Sequence, residues 1–322
     1  MKAIVIHGKE DLRIEDLATP IPEKNQALIR VAWAGICGSD LHYYYDGAVG
    51  PFVIKEPLVP GHEVCGVIEN GENLDTPLEK GTPVTVHPAT WGPSIHNISQ
   101  EHRNVLPGGS YLGSAATWPH TQGGMSEYLL VYADQIRVLP DSLPLKRAAL
   151  AEPLGVALHA LKTAGDLQGK TALVSGCGPI GLLLVAALKA HGLTDIAAVD
   201  IYEEPLKRAE TLGAGTTYLI GSDKVPSTSY DVVFECSGAY SAFVAAADAA
   251  TYRGIVVQVG LLSTDPAPMV FPSLVPKELH IRGSYRFVDE IDTAIQMLSS
   301  HPFIEDVVTH SFGADEVIDA LK

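Results

Sequence analysis

The stretch "SGCGPIG", residues 175–181, decides the fold. Gly176, Gly178 and Gly181 stand in a GxGxxG pattern, which by itself is common. Its flanks give it meaning. "TALVS" (171–175) is a short apolar, β-branched run, and "PIGLLLVAALKAHG" (179–192) has helical length, opening on Pro179 and stopping at Gly192. In a strand–turn–helix unit the first glycine permits the tight turn and the second lets backbone approach a pyrophosphate. The third lets the helix pack closely on the strand, and the helix N-terminus offers N–H groups to the phosphates. Gly176, Gly178, Pro179, Ile180 and Gly181 are therefore the candidate phosphate contacts of a dinucleotide.

The same rhythm continues down the chain. "DIAAVD" (195–200), "TTYLI" (216–220), "YDVVFEC" (230–236), "GIVVQVG" (254–260) and "ELHIRGS" (278–284) are strand-like, with helix-like segments at 204–213 and 241–251. Apolar runs without strict alternation indicate strands buried on both faces, as in a parallel sheet covered by helices. Six strands are expected in a doubly wound α/β domain. Asp200 ends the second of them, where a carboxylate can accept both adenosine ribose hydroxyls. A 2′-phosphate would meet Asp200, Glu203 and Glu204, and no arginine directly follows Asp200, so NAD is favoured over NADP.

The first 150 residues read differently. "AIVIHG", "ALIRVAWAGI", "EVCGVIE", "TPVTVH" and "SEYLLVYADQIRVL" are strand-like and separated by Gly/Pro turns, which predicts a β-rich domain. The segment 143–165 looks helical, with a break expected near Pro153, and joins the halves. Two short helix-like pieces after 285 are expected to return to the first domain. The expected division is 1–153 with 286–322, against 154–285.

Composition narrows the function. The 322 residues hold 22 basic and 38 acidic side chains, a net charge of −16. Phosphate backbones and anionic membranes need Lys and Arg, so neither nucleic acid nor membrane is an expected partner. No apolar run reaches the length of a membrane span, and "MKAIVIHGKEDL" is too short for a signal segment, which makes cytoplasmic the default location. Four separated cysteines without a CxxC pair argue against a disulfide framework.

Three short segments carry metal-type donors. "AGICGSDLH" brings Cys37 into a glycine-bracketed turn, "PGHEVCG" brings His62 and Glu63 after a Pro-Gly turn, and "AEPLG" brings Glu152 before Pro153, where a pre-proline residue is pushed from helical geometry. A thiolate, an imidazole and carboxylates suit Zn²⁺ with one position left open. Taken singly, Cys37 reads as a buried apolar group, His62 as a core histidine and Glu152 as a solvated helix-start carboxylate. Together, beside a dinucleotide domain, they read as a catalytic metal site.

The set "GICGSDLHYY", "PGHEVCGVI", "GGMSEYLLV", "AEPLGVALHA", "SGCGPIGLL" and "RGSYRF" resembles the zinc-dependent medium-chain dehydrogenase/reductase family, over nearly the whole chain. It is closest to the polyol branch of sorbitol and L-idonate 5-dehydrogenases. "PHTQGG" (119–124) and the run from Tyr43 to Val64 look more like the idonate enzymes. The resemblance implies a doubly wound parallel six-stranded (Rossmann) domain beside a β-rich GroES-like catalytic domain. It implies Cys37, His62 and Glu63 as ligands of one catalytic zinc, with Glu152 a further ligand or the partner of a bound hydroxyl. It also implies Ser39 and His42 as proton-relay residues, running through the cofactor ribose, and Tyr43 and Arg286 as substrate contacts. Val259, Gly260, Leu261, Ser284 and Tyr285 would meet the cofactor. The expected reaction transfers hydride from a secondary alcohol of a polyol or sugar acid to NAD, L-idonate first and sorbitol, xylitol or a small diol next. The loops 43–57 and 111–120 would shape the substrate pocket. Pairing of the sixth nucleotide-domain strand across a two-fold axis would give a homodimer or homotetramer.

The chain departs from that family in three places. Pro205 stands where many relatives carry a basic residue near the adenine, and the chain stops at Lys322, before the strand that ordinarily follows the last helix. The third departure is "HPATWGPSIHNISQEHRNVL" (87–106), where relatives with a structural zinc supply four cysteines. Gly92, Ile95, Ile98 and Leu106 fall at those positions, and His87, His96 and His102 have no usual zinc spacing. No structural zinc is expected, and apolar packing of Trp91, Ile95, Ile98 and Leu106 is the expected substitute. Two other readings remain: a zinc-free quinone or enoyl reductase, which would not use this donor set, and a non-catalytic nucleotide-binding protein, which would be free to lose it.

Overall fold

The computed structural model describes residues 1–263 and 270–321. They divide into two compact units, Met1–Glu152 with His310–Lys322, and Pro153–Thr309.

The second unit carries a six-stranded sheet in the order Thr216–Leu219, Ile196–Asp200, Ala172–Ser175, Tyr230–Glu235, Ala250–Gln258, His280–Gly283, parallel at every pairing. Both faces of the central strands are covered, so Ala172–Ser175 is buried at every position. This is why those runs carry no polar alternation. The helix Pro179–Ala190 is buried from Gly181 to Leu188, against the sheet. The order reverses beside Ala172–Ser175, the switch point where doubly wound sheets bind ligands at their carboxyl edge.

The first unit is built on an antiparallel five-stranded sheet in the order Tyr128–Tyr132, Gln26–Ala34, Val64–Asn70, Pro83–Val86, Ile136–Val138. Ala27, Ile29, Val64, Ile68, Val84, Val86, Leu129 and Val131 form its core. A hairpin, Lys2–Gly8 with Asp11–Asp16, attaches through Ile4 N to Met125 O and Ile6 N to Leu58 O. The strand 11–16 and the helix Gly38–Asp46 had no counterpart in the sequence pattern.

Two expectations about boundaries are corrected. The helix Ala151–Ala164 runs through Pro153, and the break falls at 149–150, after the short helix Leu145–Ala148. Pro153 lies in the first turn, where its missing N–H has no intrahelical acceptor to lose, so Glu152 stays helical. The return crossing lies at 309/310 and not at 286. The residues after 286 stay in the second unit for a reason. Phe287 lies under Gly155, where a Cβ would meet its ring at 3.2 Å. Glu290 opens the helix Glu290–Ser300 and accepts hydrogen bonds from His159 Nδ1 at 3.1 Å and Lys162 Nζ at 2.9 Å.

Candidate active site and metal centre

In the first unit, ligand atoms of Cys37, His62 and Glu63 all lie within 4.8 Å of one another, and no other such cluster occurs among the described residues. Cys37 is the N-cap of the helix Gly38–Asp46, extended at φ −91°, ψ 156°, which turns it off the strand before it. His62 is buried. Glu63 is seated by a close approach: its carbonyl accepts Gly35 N at 2.8 Å, and a Cβ on Gly35 would lie 1.9 Å from Glu63 Oε2. Only glycine leaves that space.

One carboxylate ties these segments together. Asp40, 1% exposed, accepts Cys37 N at 2.9 Å and Gly61 N at 3.1 Å, bridging the two turns that carry the donors. Glu152, also buried, accepts the hydroxyl of Tyr111 at 2.5 Å, and the Tyr111 ring meets His62 edge to face at 5.5 Å. Asp40 and Tyr111 had not been singled out from sequence. Tyr111 carries no local signal, whereas Asp40 stands three residues after a helix N-cap, the position from which an acidic side chain reaches back to that N–H.

The electrostatics favour a cation. Burial pushes Glu63 up to about 8, and the charge of Glu152 adds to the shift. Burial alone would lower His62, but Cys37, Glu152 and Asp40 outweigh it and hold the imidazole well above its ordinary value. Burial likewise raises Asp40. Crowded carboxylates are what a divalent ion would relieve, and a soft and hard donor mixture of this kind suits Zn²⁺.

Ser39 is half-buried in the first turn of the helix Gly38–Asp46, and His42 follows one turn later. His42 is exposed, with Nδ1 2.9 Å from Asp46 Oδ2, so the carboxylate holds the ring proton there and leaves Nε2 as the base. Tyr43 is 2% exposed in a cluster with Ile6, Leu58 and Ala115. Its hydroxyl accepts Ala115 N at 2.9 Å and lies 3.4 Å from Ser114 Oγ, so a substrate contact there must compete for it.

In the second unit the glycine turn has the expected form. Gly176 has φ 90°, Gly178 is the N-cap, Pro179 opens the helix, and a Cβ on Gly181 would lie 1.9 Å from Gly176 O. Asp200 accepts Cys177 N at 2.7 Å and Tyr202 N at 3.0 Å, which fixes its carboxylate beside the turn. Val259 N and Gly260 N both donate to Glu235 O, and Leu261 is exposed. Ser284 N donates to Gln258 O at 2.9 Å, while the buried Ser284 Oγ has no hydrogen-bond partner among the described residues. Arg286, at φ 51°, stacks its guanidinium 4.9 Å from the Tyr285 ring. Among the described residues, a cleft of about 980 Å³ at the amino edge of this sheet, lined by Lys170, His191 and Thr293 among others, touches none of these groups.

The three histidines of 87–106 are not brought together. His87 is buried against Trp91 at 5.2 Å, while His96 and His102 are exposed. The expected apolar packing is corrected as well: Ile95 is 40% exposed, and Arg103 lies over the Trp91 ring at 4.8 Å. Backbone contact supplies much of the rest, since a Cβ on Gly92 would lie 1.8 Å from Pro107 O. A cation–π contact and close chain crossing hold a lobe too polar to bury four apolar groups.

Comparison with known proteins matches residues 23–141 to the alcohol dehydrogenase GroES-like domain and residues 179–300 to the zinc-binding dehydrogenase domain. The chain is 35% identical to an L-idonate 5-dehydrogenase (NAD(P)(+)) of Escherichia coli over 93% of its own length and 88% of that protein. It is 34% identical to a sorbitol dehydrogenase of Gallus gallus over 99% of its length and 92% of that protein. The crystal structure of an L-idonate 5-dehydrogenase from Escherichia coli superposes with a TM-score of 0.92 at 32% identity, covering 99% of this chain and 93% of that one.

Proposed function

Because the chain belongs to the zinc-containing alcohol and polyol dehydrogenase family, with a GroES-like and a nucleotide-binding domain, we propose that it oxidises a secondary alcohol of a polyol or sugar acid with NAD, L-idonate foremost. The observation that carries the reading is the trio Cys37, His62 and Glu63, backed by the buried pair Glu152 and Tyr111. One zinc is held by the trio, and none by the 87–106 lobe. Glu152 either completes its shell or holds the substrate hydroxyl. Zinc supplies Lewis acidity toward an alcohol, and NAD supplies the hydride acceptor.

The chain's own residues do the rest. Ser39 takes the hydroxyl proton, and His42 Nε2 delivers it to solvent while Asp46 fixes the ring. Arg286 orients a hydroxyl or, by two hydrogen bonds, a carboxylate. Asp200 holds the adenosine ribose, and with Glu203 and Glu204 exposed at the start of the next helix a 2′-phosphate is repelled, which selects NAD. The intact donor set speaks against a zinc-free quinone reductase or a non-catalytic nucleotide-binding protein.

The assembly is a homodimer or homotetramer built through the edge strand His280–Gly283, and it works in the cytoplasm, in keeping with four free cysteines. Among the described residues no helix is long and apolar enough to cross a membrane. Initial rates with L-idonate and with sorbitol, each with NAD, test the reading. A higher kcat/KM on sorbitol would overturn the sugar-acid assignment and leave a polyol dehydrogenase. Absence of zinc together with retained quinone reduction would overturn the whole.

A further inference from the structure

Glu235 ends the strand Tyr230–Glu235 and has no exposed surface. Its Oε1 accepts Ser237 N at 2.8 Å and the Ser237 hydroxyl, and its Oε2 accepts Gly238 N at 3.0 Å and Gln258 Nε2 at 2.5 Å. All four partners donate and are neutral, so the group serves as an acceptor only, the ionised form. Among the described residues no Lys, Arg or His pairs with it. A buried anion without a counter-ion is costly.

Its position gives the charge a use. The sheet order puts Asp200 on one side of the central strand and Glu235 on the other. A dinucleotide lying across the switch point with its adenosine ribose on Asp200 lays its nicotinamide half over the ends of Tyr230–Glu235 and Ala250–Gln258. The turn that Glu235 anchors touches both neighbours. A Cβ on Gly176 would lie 2.9 Å from Ser237 N, and one on Gly260 would lie 2.3 Å from Gly238 N. The field of the carboxylate is felt locally, since Cys236 is raised well above an ordinary thiol by burial and then by Glu235. The oxidised nicotinamide ring is a cation and the reduced ring is neutral, so a fixed anion beneath it stabilises one state and not the other.

We propose that Glu235 sets the enzyme's preference for oxidised over reduced cofactor, as a buried anion placed beneath the nicotinamide half and insulated from cationic partners. The inference rests on the NAD-linked reading above. It makes Glu235 a tuning residue that touches neither substrate nor the reacting atoms, and it favours loading of the oxidised cofactor, the form that alcohol oxidation consumes.

The test uses zinc-loaded full-length protein, with dissociation constants for NAD⁺ by calorimetry and for NADH by its fluorescence. Glu235→Gln is expected to raise the ratio Kd(NAD⁺)/Kd(NADH) by about 5- to 20-fold, with NADH binding changed by less than about threefold. A loss of turn geometry alone would weaken both equally, so an unmoved ratio overturns the inference. Should Glu235→Gln not fold, Gln258→Lys places an ammonium against the same carboxylate from a position that already donates to it, and must raise the ratio likewise. Wild-type protein that binds neither nucleotide overturns the NAD-linked reading itself, and this inference with it. Binding of both with an unmoved ratio overturns this inference alone.

Discussion

Gly35→Ala separates the two ways in which the zinc shell can be completed. A Cβ at residue 35 would lie 1.9 Å from Glu63 Oε2 and 2.9 Å from Glu63 Cβ and Cδ, against 3.4 Å for ordinary contact. The carboxylate must therefore retreat by about 1.5 Å, whereas zinc–oxygen distances tolerate shifts of about 0.2 Å. Residue 35 has an ordinary φ and follows the strand Gln26–Ala34, so alanine strains no dihedral there, while the contact with Glu63 Cβ at 2.9 Å is relieved by a small shift, about 0.5 Å, between the two segments. Loss of Glu63 from a shell of three protein ligands should weaken zinc by at least about 100-fold, beyond the 10- to 100-fold cost of losing an outer-shell partner. The assay is competition with a chromophoric chelator, alongside metal content after dialysis and kcat with excess zinc. Thermal stability of the metal-free protein should fall by no more than about 2 kcal/mol. Stoichiometric zinc with unchanged affinity in Gly35→Ala would refute the reasoning. It would show that Cys37, His62 and Glu152 suffice and that Glu63 is a bystander.

The other predictions follow from single contacts. Asp40→Asn keeps one acceptor and turns an NH₂ toward the other backbone N–H, so the apo protein should lose about 2–4 kcal/mol and zinc affinity should fall with it; denaturant melts and the chelator assay read both, and unchanged values would remove Asp40 as the brace between the two turns. Asp200→Asn removes the charge that repels a 2′-phosphate, and the NADP/NAD ratio of kcat/KM should rise by at least about tenfold, or roughly 1.4 kcal/mol; a constant ratio would move cofactor choice elsewhere. Glu290 has a pKa in which burial, tending to raise it, is outweighed by His159, the Val288 N–H and Lys162, which hold it well below an ordinary carboxyl. A depressed folded-state pKa contributes stability above the unfolded value of about 4.3 and loses it as pH falls below that. Glu290→Gln should therefore be destabilised relative to wild type by about 2 kcal/mol at pH 7, with the gap closing below about pH 4; a gap independent of pH would show that packing, not charge, is at stake.

These residues also show where the sequence was legible. The glycine turn could be read because its demands are local: strand, turn and helix lie within about 20 residues, and each glycine answers one steric requirement visible in the spacing. Cys37, His62 and Glu63 were legible as chemistry, since few residue types bind zinc, although nothing in the chain states that the turns at 37 and 62 meet. Pro153 misled because its penalty depends on position within a helix, and this helix starts only two residues before it, at Ala151. Ile95 misled because an apolar residue identity does not fix burial in a lobe held by Arg103 on Trp91. The return crossing misled because it depends on His159 and Lys162, some 130 residues from Glu290.

Asp40 and Glu235 mark a boundary of a different kind. Each is a carboxylate within a stretch already chosen for another reason, the thiol turn in one case and an apolar strand in the other. In each the sequence prints the acceptor but not the pairing, because two of the donors are backbone N–H groups, which are the same at every residue. The available signal was cost. A charge inside "YDVVFEC", in a strand buried on both faces, is unfavourable by several kcal/mol unless something distant satisfies it. Such a residue is retained in a soluble fold only with a full set of partners, and Glu235 has four. Asking of every charged residue in an apolar strand which donors it must have found would single out Glu235 from sequence, and with it the side of the sheet where a dinucleotide carries its changeable charge.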